Sequence, residues 1–173
     1  MLAITYETGQ LLHSLITGIK AKDVLELGTS TGYSALWMAD ALLSNHKNPR
    51  ITTVESNPAK ISRAVANFRR ARISNIVRIK QGTIMEVLRE MPKSQKFDFV
   101  LIDADKENIT EYADLVVPRL RAGGIMVTDN MLHPAKYRKI MRGYSRHLKT
   151  KRGLQTCTVP IGYGEEITVK VHD

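Results

Sequence analysis

A single cysteine, Cys157, stands among the 173 residues. That excludes an intramolecular disulfide framework and any cysteine-rich zinc site, and it suits a reducing, cytoplasmic setting. No uninterrupted apolar run approaches the ~18 residues that a membrane-spanning helix needs. The opening stretch MLAITYETGQLLHSLITGIKAK lacks a basic leader and sets Glu7, Gln10 and His13 among its apolar positions. It reads as an amphipathic helix rather than a signal peptide. Acid is missing from one long stretch, with no Asp or Glu between Asp129 and Glu165. The whole chain is basic, at net charge +9 and pI near 9.8. Such an excess favours anionic partners, or is simply a solvated cationic surface.

What is present is ordinary globular composition, 43% apolar and 25% charged, in a length that suits one domain over 1–173. Short β-branched runs alternate with longer helical patterns. DVLEL (23–27), ITTVE (51–55), IVRIK (76–80), FDFVLID (97–103) and GIMVTD (124–129) are strand candidates. Between them lie TGYSALWMADALL, PAKISRAVANFRRA, TIMEVLRE and ITEYADLVVPRL, with apolar residues near helical spacing. Asn57 before Pro58 reads as an N-cap, and Gly123–Gly124 as the turn into the fifth strand. Repeated βα units predict an α/β domain with a mostly parallel, Rossmann-like sheet. After a further helix, LQTCTVP and EITVKV across IGYGE predict a C-terminal antiparallel hairpin, which makes seven strands.

VLELGTSTGYSAL follows the first strand and opens a helix. Ligands of open α/β sheets sit beyond the carboxyl ends of the strands, at the switch point. Gly28 and Gly32 allow close backbone approach there, and a helix N-terminus offers free N–H groups. The dinucleotide spacing G-x-G-x-x-G is lacking, because Ser30 and Tyr33 stand where glycines would be needed. No Gly-Lys-Ser/Thr follows either, which excludes a Walker A loop. Glu55, ending the second strand, is placed to accept from both hydroxyls of a ribose. With Glu26 ahead of the turn, these residues predict a nucleoside-cofactor site.

FDFVLIDADKENI poses a different question, since a core strand runs straight into Asp103, Asp105 and Lys106. Buried charge must be paired, hydrogen-bonded or metal-bound. Asp103 ends the fourth strand, and Asp129 with Asn130 ends the fifth. Adjacent strand ends lie about 5 Å apart, so the three side chains can converge. They are hard oxygen donors suited to Mg²⁺, Mn²⁺ or Ca²⁺. Helix capping and turn formation are the plainer alternatives, and they explain one such cluster more readily than two at neighbouring strand ends. Asp105 points the other way by simple alternation and reads as structural.

LELGTSTGYSA, DFVLIDADKENITEY and GGIMVTDNML together resemble the metal-dependent O-methyltransferases that include the caffeoyl-CoA and catechol enzymes. The likeness covers about residues 5 to 130 and returns over VPIGYGEEITVK. It implies a methyltransferase-type fold that uses S-adenosylmethionine. By resemblance, Lys106 is the general base toward a substrate hydroxyl, and Glu26, Gly28, Thr29 and Ser34 line the methionine end of the cofactor. Glu55 holds its ribose, Gly82, Thr83 and Ile84 border its adenine, and Asp103 meets both its amino group and the metal.

The chain departs from that family in three places. It begins close to the first shared helix, without the N-terminal segment that shapes acceptor sites and dimers in relatives. DNML runs directly into HPAKYRKIM, without the insertion that covers the acceptor. The P-x-G-D-G of relatives reads PIGYG, with Tyr163 in place of the acid. An open, altered acceptor pocket is expected, and a homodimer is left open. The expected acceptor is a phenolic or catechol-like small molecule. A hydroxylated uridine in tRNA, the acceptor of some bacterial relatives, is the alternative. It draws on the basic 136–152 segment, where Tyr137 and Tyr144 are placed among Lys and Arg to stack on bases. A cofactor-binding protein without turnover is the third reading, and it would have no need of Lys106 beside the three ligands.

Overall fold

In the computed structural model the first expected strand is Asp23–Leu27 (β1), buried along its whole length, as fits a strand covered on both faces. Residues 3–172 are described; Met1, Leu2 and Asp173, at the ends of the expected 1–173 domain, lie outside the described residues. The further strands are Arg50–Glu55 (β2), Val77–Gln81 (β3), Phe97–Ile102 (β4), Leu120–Thr128 (β5), Leu154–Val159 (β6) and Glu165–Lys170 (β7). They form one sheet in the order β3-β2-β1-β4-β5-β7-β6. All neighbours among the first five are parallel, and β7 runs antiparallel to both β5 and β6. This is the single α/β domain with a closing antiparallel pair that the sequence predicts.

The helices are Tyr6–Gly18 (α1), Tyr33–Asn45 (α2), Pro58–Arg70 (α3), Ile84–Glu90 (α4), Ile109–Val116 (α5) and Arg138–Thr150 (α6). Alternation along the strands splits the core into two layers. Phe99 and Leu101 face Leu12, Met38 and Phe68 of α1 to α3, while Val100 and Ile102 face Leu88, Val116 and Met141 on the other side. The expected cap forms, for Asn57 accepts from Ala59 N and Lys60 N ahead of Pro58. Among the described residues, no helix is long and apolar enough to cross a membrane.

Among the strands, one boundary differs by more than a residue. The fifth strand begins at Leu120, ahead of Gly123–Gly124, so the glycines lie inside it rather than at its entry. Pairing with β4 shifts there, from Phe97↔Leu120 to Phe99↔Ile125. A Cβ on Gly124 would lie 2.8 Å from the Arg121 carbonyl and 2.9 Å from that of Asp98, so glycine permits the irregularity. Near this edge the Asp98 carboxylate accepts from the backbone N–H groups of Lys22 and Asp23 and pairs with Arg121.

Candidate functional site

Chain reversal at the switch point between β1 and β4 is built on glycine. Gly28 N and Thr29 N both donate to the Val54 carbonyl, at 3.1 and 3.0 Å. Gly28 has φ +105°, and a Cβ on it would lie 2.0 Å from the Asp103 carbonyl oxygen. No other residue fits, and the glycine turn is thereby packed against the end of β4. Gly32, at φ +88°, caps α2 against the Phe68 ring. Beneath the turn Glu26 is fully enclosed, taking hydrogen bonds from Ser34 Oγ and from Thr53 Oγ1. Burial pushes its carboxyl up to about 7 against those bonds. Thr29 Oγ1 joins the same network through Thr53 at 2.6 Å.

Glu55 reaches back to the turn. Its Oε2 accepts from Ser30 N at 2.9 Å, and its Oε1 from Ser56 N and Asn57 N at 3.0 Å. An ionised carboxylate offers about four acceptor sites, so capacity remains for a ligand hydroxyl. The Glu55 carbonyl takes Gly82 N at 3.1 Å, which brings Gly82, Thr83 and Ile84 beside it. There Thr83 and Glu86 form a capping box that opens α4 at Ile84. The structure thus sets the expected cofactor residues along the carboxyl ends of β1, β2 and β3, with Asp103 next in line on β4.

Backbone bonds from Asp103 N to Leu27 O and from Asp129 N to Ile102 O, at 3.0 and 3.1 Å, put the two aspartates at adjacent strand ends. Both are buried, as are Asn130 and Lys106. Asn130 adopts φ +67°, and its N–H donates to Asp129 Oδ1. Lys106 Nζ donates to the Asp129 carbonyl at 3.0 Å and lies 3.9 Å from Asp103 Oδ1. Asp103 Oδ1 and Asp129 Oδ2 are buried with no hydrogen-bond partner. Burial, then the like charge of Asp129, pushes the Asp103 carboxyl up to about 7. Burial also lowers the Lys106 ammonium, against the pull of Asp103 and Asp129. Among the described residues no three His, Cys, Asp or Glu side chains gather as a metal-holding group, so a cation here needs the Asn130 amide oxygen.

Asp105 is structural in its contacts, accepting from Asn108 and from the Tyr112 hydroxyl. A further acid, Glu165, enters the cluster unforeseen. It opens β7, is wholly buried, and its Oε1 accepts from Thr8 Oγ1 at 2.9 Å, while its Oε2 has no hydrogen-bond partner. Burial and then the Asp129 charge hold its proton well above the usual range. The signal for it in the sequence is the Glu165–Glu166 pair that ends the long acid-free stretch.

Beside Lys106 opens a cavity of about 330 Å³, lined by Asp105, Asn130, His133, Pro134 and Tyr137 among others. His133 stacks on Tyr163 at 5.2 Å between ring centroids. A second groove, about 420 Å³, has Met131 and Met141 with Lys139, Arg142, Arg146 and Lys149 along α6. Arg138 is drawn off by a bond to the Leu132 carbonyl. Tyr144 cannot stack on a base, because it is 1% exposed with its hydroxyl 2.7 Å from Thr128 Oγ1. A third cavity, about 640 Å³, lies at the opposite strand ends around Asp23, Arg50 and Arg121, and holds none of the expected site residues.

The sequence profile of a family described as O-methyltransferase matches residues 1–170. The catechol O-methyltransferase of Niastella koreensis is 35% identical over 137 residues, covering 78% of this chain and 61% of that protein. The chain thus spans under two thirds of that relative's length. The caffeoyl-CoA O-methyltransferase of Medicago sativa is 28% identical over 184 residues, covering 95% and 73%. Among solved structures, the O-methyltransferase TomG of Streptomyces achromogenes, in complex with SAM, superposes with a TM-score of 0.87. It is 26% identical over 98% of this chain and 82% of that one. With the profile matching nearly end to end, on a sheet whose carboxyl edge carries the glycine turn and the Asp103–Lys106 cluster, this chain belongs to the O-methyltransferase family.

Proposed function

We propose that this chain is an S-adenosylmethionine-dependent, divalent-metal-assisted O-methyltransferase acting on a phenolic or catechol-like hydroxyl. The observation that carries the reading is the meeting of Lys106 with Asp103 and Asp129, beside buried carboxylate oxygens that lack a donor. Such oxygens favour a cation. Asp103, Asp129 and Asn130 are donors of the hard type and fit Mg²⁺, Mn²⁺ or Ca²⁺. An ion bound there would supply the charge that lowers the pKa of an acceptor hydroxyl. Gly28 and Thr29, Glu55, and Gly82 to Ile84 would receive the methionine, ribose and adenine parts of the cofactor. Lys106, its pKa lowered by burial, would take the hydroxyl proton as the acceptor oxygen gains the methyl group and the cofactor's S–CH₃ bond breaks, with S-adenosylhomocysteine as the leaving group. Holding both reactants in line is a major part of the acceleration. The names of the relatives, catechol and caffeoyl-CoA O-methyltransferase, support the same acceptor class.

The groove of Lys139, Arg142, Arg146 and Lys149 favours a second reading, an acceptor hydroxyl on RNA. The two part in one experiment. Cofactor labelled in its methyl group is incubated with catechol, with caffeate esters and with tRNA, and products are identified by mass spectrometry. Label in the phenols, lost with EDTA, is the expected result. Label in a tRNA uridine and none in any phenol would overturn it, and binding of the cofactor without any product would leave only the non-catalytic reading.

A further inference from the structure

Each of the five parallel strands starts with a cation. Lys22 precedes β1, Arg50 opens β2, Arg78 is second in β3, Lys96 precedes β4 and Arg121 is second in β5. Parallel strands share one amino edge, and neighbours lie about 5 Å apart, so the five charges form a row along it. All but Lys22 line the cavity of about 640 Å³ at that edge. Ser74, Asn75 and Gln95 add hydroxyl and amide donors to the lining, beside the apolar Ile51, Val77 and Phe97. Its size is within the range of about 300–1,000 Å³ usual for small-molecule sites.

Charge in this cavity is not balanced. Asp23, the one acid of the lining among the described residues, accepts from Arg50 Nε at 2.6 Å and from Arg121 Nη2 at 3.3 Å. Arg121 is also paired with Asp98. Those acids account for the two arginines, while no ion pair takes up Arg78 or Lys96 among the described residues. Lys96 Nζ donates to the Pro118 carbonyl, at 2.7 Å, which leaves its charge uncompensated. The chain leading into β3 supplies no acid, since none stands between Glu55 and Glu86. Plainer roles cover part of this charge. Arg69 and Arg70 offset the carboxyl end of α3, and a charge such as Arg78 on the edge strand β3 guards against pairing with another chain. Neither role fits Lys96 and Arg121, which start interior strands, or explains why four cations share one cavity. Like charges brought together repel unless an anion joins them. We propose that this cavity is a second binding site, for a ligand with two or more linked phosphate groups. It lies a strand's length, about 15–20 Å, from Asp103 and Asp129, so the group it holds is not the reacting end of the methyl acceptor.

Calorimetry with inorganic tripolyphosphate at low salt tests the site. EDTA and saturating S-adenosylhomocysteine keep the carboxyl edge from contributing. The parent protein should bind tripolyphosphate saturably, and more weakly as salt rises. Arg78→Gln combined with Lys96→Gln should weaken that binding by about tenfold or more, the usual scale for bonds to a charged group. Both side chains are exposed, and the double variant leaves Arg50 and Arg121 with their acids, so fold and methyl transfer should be unchanged. Arg142→Glu with Arg146→Glu, on α6, should leave tripolyphosphate affinity unchanged. Two further titrations identify the source of the phosphates, and either positive result supports the site. Competition by ADP for tripolyphosphate would point to a free nucleotide. Binding of tRNA that weakens in the Arg78→Gln, Lys96→Gln variant, without competition by ADP, would point to a nucleic-acid backbone. No saturable binding by the parent, equal affinity in that double variant, or loss in the α6 variant alone would overturn the proposal.

Discussion

Lys106 donates from its ammonium to the backbone carbonyl of Asp129 at 3.0 Å, tying the loop after β4 to the end of β5. The bond fixes a buried amine between two aspartates whose carboxylates have oxygens left over. An amine held this way serves as a base only when neutral, and burial moves it in that direction. Lys106→Met should therefore lower kcat by about 10²–10⁴-fold with cofactor affinity retained. In the parent protein kcat should rise with pH as Lys106 loses its proton, with the inflection below the ordinary lysine value of 10.5. Steady-state kinetics across pH check both, and a change below threefold in Lys106→Met when chemistry limits the rate would dismiss the assignment.

Removal of divalent ions should abolish turnover, and Mg²⁺ or Mn²⁺ should restore it. Asp129→Ala should abolish turnover with no rescue by added metal while leaving much of the cofactor affinity, since the proposed cofactor residues lie along β1 to β3 and at Asp103. Full activity in the metal-free protein would mean that Asp103 and Asp129–Asn130 are strand-end turns and nothing more.

Glu55→Ala should weaken S-adenosylhomocysteine binding by about 1.5–3 kcal/mol, the usual range for bonds to a charged acceptor. Part of the loss will come through the turn, because Glu55 also holds Ser30 N. Calorimetry measures the shift, and NAD should bind much more weakly than S-adenosylhomocysteine to the parent protein.

Charge reversal at Arg142, Arg146 and Lys149 separates the two acceptors. These residues share the groove face of α6, at the spacing that places side chains side by side. Turnover of a phenolic acceptor should survive the reversal and depend weakly on salt. Binding of tRNA that falls by about 10³-fold or more from 50 to 200 mM salt, and disappears in the variant, would favour RNA instead.

Burial raises the Asp98 carboxyl, but the backbone N–H groups of Asp23 and Lys22 and the Arg121 guanidinium outweigh it, leaving a pKa below the ordinary 3.8. The native state thus binds this proton less readily than the unfolded chain. The stabilisation is present above the ordinary carboxylate pKa and is lost as pH falls through the depressed one. Asp98→Ala should be less stable than the parent at about pH 7, and the gap should shrink toward about pH 3. Urea unfolding at the two values checks it.

The alternation of β-branched runs with helical spacing was enough for a mostly parallel sheet, though not for the order of its strands, and the glycine turn and the two acidic strand ends were legible as motifs. Each of these is local, and a strand end places its next residues at the same edge of the sheet wherever the strand goes. Glu165, Tyr144 and the division of charge along α6 were settled by contacts across the chain. Thr8 and Glu165 meet because α1 and β7 fold together, which no period in the sequence records. Tyr144 shares a stretch with arginines, yet it faces inward to Thr128 because a helix turns its side chains by about 100° per residue. Periodicity reports which face of an element is buried; which side chains meet on that face depends on the packing of elements distant in the chain, and only the tertiary structure decides it.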